Sequence, residues 1–190
     1  MRRRHYSFLL SVLLWGCSRT PFLIADFDSN YKPKLKTVAL MPFSLPAGNG
    51  FAEKYRSVLE EKITGAIVES DSSHSYLFPY AVRSRLWGAA DSAILSIPAD
   101  SAGKLFSAQV LLYSEMIRLY QSEGSNPTTR EIGASKFQRR GVELLAEFRL
   151  VEAATGKLLW RYRVRRFGED VEAAVGWAEI EVAKQWPLKI

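Results

Sequence analysis

The chain is poor in the residues that most catalytic chemistry needs. Its 190 residues include one cysteine, Cys17, and two histidines, His5 and His74. A single thiol has no partner for a disulfide within the chain, and one cysteine with two distant histidines does not make a Cys/His metal site. The sequence contains no G-x-S-x-G, no G-x-x-x-x-G-K-[ST] and no G-x-G-x-x-G. Those absences remove the signatures of a nucleophile elbow, a phosphate loop and a dinucleotide site. Asp71, His74 and the serines between them (ESDSSHS) could be drawn as a nucleophile arrangement. Such a triad is made by geometry rather than by neighbours in sequence, and a polar turn is the plainer reading. The paired carboxylates Glu60 and Glu61 are expected on the solvent face of a helix. No enzyme, cofactor or metal is expected.

Long apolar runs are also missing. The longest is Tyr6–Trp15 (YSFLLSVLLW), preceded by the basic MRRR. It is too short for a spanning helix, which needs about 20 apolar residues. A basic start, a short apolar run and a small residue before the cut describe a secretory signal. Leu14-Trp15-Gly16-Cys17 resembles the lipobox of bacterial lipoproteins. That resemblance implies cleavage between Gly16 and Cys17 and acylation of Cys17. The alternative is an ordinary apolar helix with a buried thiol, but the only cysteine stands where acylation needs it. Ser18 after the cysteine implies outer-membrane sorting, with the domain facing the periplasm. The expected layout is a signal at 1–16, a lipidated cysteine and tether at 17–35, and one domain at 36–190. Each buried acyl CH₂ contributes about 0.8 kcal/mol, so several chains on one cysteine make a stable membrane anchor.

The net charge of +6 is half a targeting device. Removing Arg2, Arg3 and Arg4 leaves 23 basic against 20 acidic residues, or +3. A nucleic-acid partner is therefore not expected. Apolar residues make up 47% of the chain, enough for one core.

The strongest pattern is Val142–Arg166, VELLAEFRLVEAATGKLLWRYRVRR. Val142, Leu144, Ala146, Phe148 and Leu150 alternate with Glu143, Glu147 and Arg149. After the turn AATGK, Trp160, Tyr162 and Val164 alternate with Arg161, Arg163 and Arg165. Period-two alternation on both sides of a Gly-containing turn predicts a β-hairpin. A register pairing Glu147 with Arg161 and Glu143 with Arg165 leaves a three-residue loop, Ala153–Thr155. Arg161, Arg163 and Arg165 read either as a solvated row or as a face for an acidic partner, Arg being enriched at interfaces.

Elsewhere, TVALM (Thr37–Met41) predicts a buried strand. Phe51, Tyr55, Val58, Leu59, Ile63, Ala66 and Ile67 predict a helix capped by Asn49. Tyr76–Tyr80 is expected as a short strand and Ala81–Leu95 as one helix, with Val82, Leu86, Ala89 or Ala90 and Ile94 inward. A short helix at Ala99–Ser107, a long strand at Gln109–Tyr120 and a polar loop at 121–140 follow. A last helix at Glu169–Trp186 carries the stripe Val171, Ala174, Val175, Ala178 and Val182. The expected fold is α/β, with a mixed sheet of about five strands and helices packed on it. Its order is β-α-β-α-(α)-β-β-β-α, ending in an antiparallel meander and a C-terminal helix.

Val38–Phe43 (VALMPF) followed by a Gly-containing loop and helix, and Leu150, Val151, Thr155, Gly156, Leu158, Leu159 and Trp160 in the hairpin, resemble one superfamily. It holds bacterial envelope lipoproteins related to the curli secretion protein CsgG, the penicillin-binding-protein activator LpoB and the N-terminal domain of TolB. Glu152 stands where that pattern usually has Asp. The resemblance implies a non-enzymatic protein-binding or regulatory role in envelope assembly. Its partners would be the membrane, through the acyl chains, and an envelope protein. The alternative is a structural subunit that self-associates in a secretion or assembly complex. The polar loop 121–140 lacks the alternation of a membrane-inserted hairpin, which argues against a pore.

Overall fold

The computed structural model describes residues 26–27, 37–122 and 141–188. Signal, lipobox and residues 123–140 of the polar loop therefore lie outside the described residues, while Gln121 and Ser122, expected in that loop, prolong a strand. Six strands and five helices follow in the order β1 (Asp26–Phe27), β2 (Thr37–Leu40), α1 (Gly50–Ser70), β3 (Ser75–Leu77), α2 (Pro79–Arg85), α3 (Asp91–Leu95), α4 (Ala99–Phe106), β4 (Val110–Ser122), β5 (Gly141–Glu152), β6 (Leu158–Gly168) and α5 (Val171–Gln185). One mixed sheet runs β1-β6-β5-β4-β2-β3. β2 is parallel to β3 and to β4, and β4, β5 and β6 form the antiparallel meander. β1, a pair of residues inside the expected tether, adds an edge to β6.

The alternation in the hairpin does what period two requires. Val142, Leu144, Ala146, Phe148, Leu150, Trp160, Tyr162 and Val164 are all buried on one face. α1 and α5 cover that face. Asn49 caps α1 by accepting from Ala52 N at 2.9 Å, and Asp170 caps α5 by accepting from Ala173 N at 2.8 Å. The α5 stripe Val171, Ala174, Val175, Ala178 and Val182 is buried as its spacing predicts. Gly168 sits where β6 turns into α5. A Cβ there would lie 2.3 Å from Ala174 N, so only glycine lets the helix start so close to the strand.

The opposite face is covered only in part. α2, α3 and α4 pack on the β2 side through Val82, Ile94, Ala102 and Phe106 against Ala39, Met41 and Leu111. The helix expected over Ala81–Leu95 is broken in two. Gly88, at φ 82°, turns the chain between α2 and α3, and Ala89 and Ala90 are exposed rather than inward. Pro79 opens α2 instead of ending a strand, as suits a residue with no N–H to satisfy.

The hairpin register also differs from the expected one. Glu147 lies opposite Arg163, and Arg149 opposite Arg161. The loop holds one residue more, since Glu152 N donates to Lys157 O, and Gly156 takes φ 70° within it. A bulge between Leu150 and Val151 adds the second step. Two steps together leave every side chain on its expected face.

Candidate interaction face

The part of the sheet that α2–α4 leave bare carries a lattice of charges. Arg149, Arg161, Arg163 and Arg165 share it with Glu115, Glu143 and Glu147. Across the strands, like charges lie opposite each other: Glu115 faces Glu147, and Arg149 faces Arg161. Direct like-charge pairs are unfavourable in a sheet. The facing pair Glu147 and Arg163 and the diagonals compensate. Glu147 is gripped by Arg163 Nη2 at 2.6 Å and Arg161 Nε at 3.3 Å, with Arg149 Nε at 3.9 Å. Arg165 donates to Glu143, and Arg149 reaches Glu115 at 3.6 Å. The pairs expected from the sequence, Glu147 with Arg161 and Glu143 with Arg165, thus occur as diagonal contacts and not as facing positions.

Glu147 was expected on a solvent face. It is 4% exposed, because the arginine stems lie over it. The arginines themselves stay open: the side chains of Arg161, Arg163 and Arg165 are 39%, 35% and 50% exposed. Arg149 Nε and Arg161 Nε are buried and face Glu147 at ion-pair distance without forming a hydrogen bond. Tyr120 and Phe167 flank the lattice, 56% and 62% exposed, each in register with Glu143. A stiff sheet thus presents planar guanidinium groups beside two aromatic rings. That suits an acidic or mixed polar protein surface.

A second charged cluster escaped the sequence reading. Glu60, expected to face water from α1, is buried. It accepts from Phe43 N at 2.8 Å and receives both Nη groups of Arg83 at 2.7 Å. Arg83 also donates to Asp91, and Arg56 joins from α1. Contacts with Asp91 and Glu60 raise the Arg83 guanidinium further above its ordinary range, against the opposing effect of burial. No local pattern signals this cluster. Glu60 sits among Glu61 and Lys62 in sequence, and Arg83 is 23 positions away.

The ESDSSHS turn is a buried latch. Asp71, 3% exposed, accepts from Ser73 N at 3.0 Å, Tyr76 OH at 2.7 Å and Trp186 Nε1 at 3.3 Å. Burial alone would raise its pKa. The hydrogen bonds from Ser73 and Tyr76 outweigh burial and hold the carboxyl down to about 2. Burial, then the adjacent carboxylate, pushes the Tyr76 hydroxyl above its usual range. Ser73 Oγ and Asp71 Oδ2 both contact the same nitrogen, His74 Nδ1, at 2.9 and 2.8 Å. A hydroxyl-to-carboxylate relay needs one partner on each ring nitrogen, so this arrangement ties a turn rather than activating a serine. Among the described residues, no group of three His, Cys, Asp or Glu could hold a metal ion, and no helix is long and apolar enough to cross a membrane. Gly16 and Cys17, the expected cleavage and acylation positions, lie outside the described residues.

No protein-family model matches the chain, and no curated protein sequence does. Solved structures do. Lipoprotein GNA1162 from Neisseria meningitidis superposes with a TM-score of 0.56 at 15% identity, covering 79% of this chain and 96% of that one. The chain shares its fold with that protein. The PelC dodecamer from Paraburkholderia phytofirmans matches with a TM-score of 0.50 at 10% identity, over 90% of this chain and 99% of that one. The C-terminal domain of LpoB from Salmonella enterica overlaps more loosely, with a TM-score of 0.39 at 14% identity, over 68% and 81% of the two chains.

Proposed function

We propose that this is an outer-membrane lipoprotein, anchored through Cys17, whose periplasmic domain binds another envelope protein and performs no catalysis. The observation that carries the reading is the bare sheet face. It is rigid, rich in half-exposed arginines and edged with exposed aromatics. The lipobox and the lipoprotein fold support the envelope setting. The motif VALMPF and the TG-x-LLW hairpin support the narrower kinship with the CsgG, LpoB and TolB-like domains.

The test is crosslinking capture from envelope membranes, with Arg161→Gln/Arg165→Gln as the control. Loss of one captured envelope protein, about tenfold or more, with Tm within about 3 °C of the parent, is the expected result. Equal capture by the variant sinks the docking face. The second reading is a subunit of a self-assembling complex, favoured by the likeness to a protein that forms a dodecamer. Light scattering that shows a discrete oligomer of the lipid-free chain selects it.

A further inference from the structure

We infer, resting on the docking-face reading, that the bare sheet takes an extended acidic segment of its partner. That segment carries carboxylates at alternate positions and a large apolar residue two positions beyond the last of them. Four places on β6 carry the inference. Arg161, Arg163, Arg165 and Phe167 stand at every second residue and so share one face of the strand.

Alternate residues of a strand lie about 7 Å apart. A second extended chain has the same repeat, so a carboxylate at every second residue meets one guanidinium after another along the row. A helical partner does not match it. Positions i and i+4 of a helix are about 6 Å apart along the axis but about 40° apart around it, so an acidic stripe leaves a straight row after two contacts.

The sign of the partner follows from the balance of charge. Arg118 and Arg149 flank the row, and among the described residues of this face five arginines stand against Glu115, Glu143 and Glu147. Glu147 holds Arg161 and Arg163, and Glu143 holds Arg165. The heads are therefore ordered before a ligand arrives, which lowers the entropy cost of binding. A guanidinium can take a carboxylate through two parallel hydrogen bonds, a geometry that an ammonium lacks.

The row closes on an apolar end. Phe167 lies in register with Glu143, and Glu143 with Tyr120, so the two exposed residues stand two strands apart, about 10 Å at the backbone. The Arg165 guanidinium carbon sits 5.1 Å from the centre of the Phe167 ring. Leu145, opposite Arg165, is only half-buried beside them. A third ring or a branched aliphatic side chain fits between the two aromatics, and its burial there removes apolar surface of all three from water.

The test uses the detergent-purified protein and three labelled peptides of one composition, read by fluorescence anisotropy at physiological salt. Asp-Thr-Asp-Thr-Asp-Thr-Phe and its reverse place the carboxylates at alternate positions, and Asp-Asp-Asp-Thr-Thr-Thr-Phe groups them. One alternating peptide is expected to bind about tenfold or more tightly than the grouped one. It is expected to lose that advantage against Arg161→Gln/Arg165→Gln, and part of it against Phe167→Ser. Equal affinity for alternating and grouped peptides overturns the inference, because charge alone would then suffice. Failure of all three to bind at up to about 1 mM overturns it as well. Envelope capture judges the docking face separately: capture lost in the arginine variant, with no preference among the peptides, keeps that reading and removes this one.

Discussion

Two clusters in this molecule are built from the same residue types and do different work. Each centres on a buried glutamate held by arginines: Glu60 at 7% exposure and Glu147 at 4%. The Glu60 cluster joins four places in the chain, the Phe43 backbone, α1, α2 and the start of α3. There the carboxylates are in excess, with Glu53, Glu60 and Asp91 against Arg56 and Arg83. The Glu147 cluster lies within one sheet face that the backbone ladder already holds together. There arginines outnumber the carboxylates they grip, and their heads remain in water. Arg56 Nε is as unpartnered as Arg149 Nε and Arg161 Nε, but both Nη groups of Arg56 donate to carboxylates. A closed network fixes helices that would otherwise drift. An open one adds little stability and leaves donors to spend on a partner.

The comparison breaks if the two glutamates turn out equivalent. Glu60→Ala leaves Phe43 N and the Arg83 fork without their acceptor, and is expected to cost about 3 kcal/mol in urea unfolding. Between the two clusters in size stands the Asp71 latch, which also closes against Trp186. Its carboxyl is held down to about 2 in the fold, against about 3.9 in an unfolded chain. A depressed folded pKa means stabilisation that is present above pH about 4 and lost as the pH falls toward 2. Asp71→Asn should therefore cost about 2 kcal/mol at pH 7, and the gap from the parent should close between about pH 4 and 2. A gap that persists at pH 2 would place the cost in shape rather than charge. The smallest effect is expected on the open face. Glu147→Gln keeps volume and removes charge among half-exposed arginines, for about 1 kcal/mol and with more weakening in low salt than in high. A loss as large as that of Glu60→Ala would make the lattice a structural element and weaken its claim as a docking face.

The elements that were legible share one property: their signal is local. The α5 stripe and the two hairpin faces follow from 3.6-residue and two-residue periods, and each buried member stands where its spacing puts it. The single helix expected over Ala81–Leu95 breaks at Gly88, which takes a left-handed turn that the apolar spacing of Val82, Leu86 and Ile94 does not signal. The hairpin register slipped because neither the fourth loop residue nor the Leu150/Val151 bulge leaves a mark in composition. The arginine row was visible as a row. Its setting was not, because which part of a sheet is left bare depends on where α2–α4 come to rest.

Periodicity along the chain determined which side chains face inward, since strand and helix geometry act over neighbouring residues whatever surrounds them. It determined the class of fold in the same way, while the candidate anchor rests on the resemblance of Leu14–Cys17 to a lipobox. The tertiary structure alone decided which buried charge would be a strut and which a surface feature. Glu60 and Glu147 are the same chemical group on regular elements. What separates them is the set of groups brought close from 16 or more positions away, and sequence spacing carries no record of that.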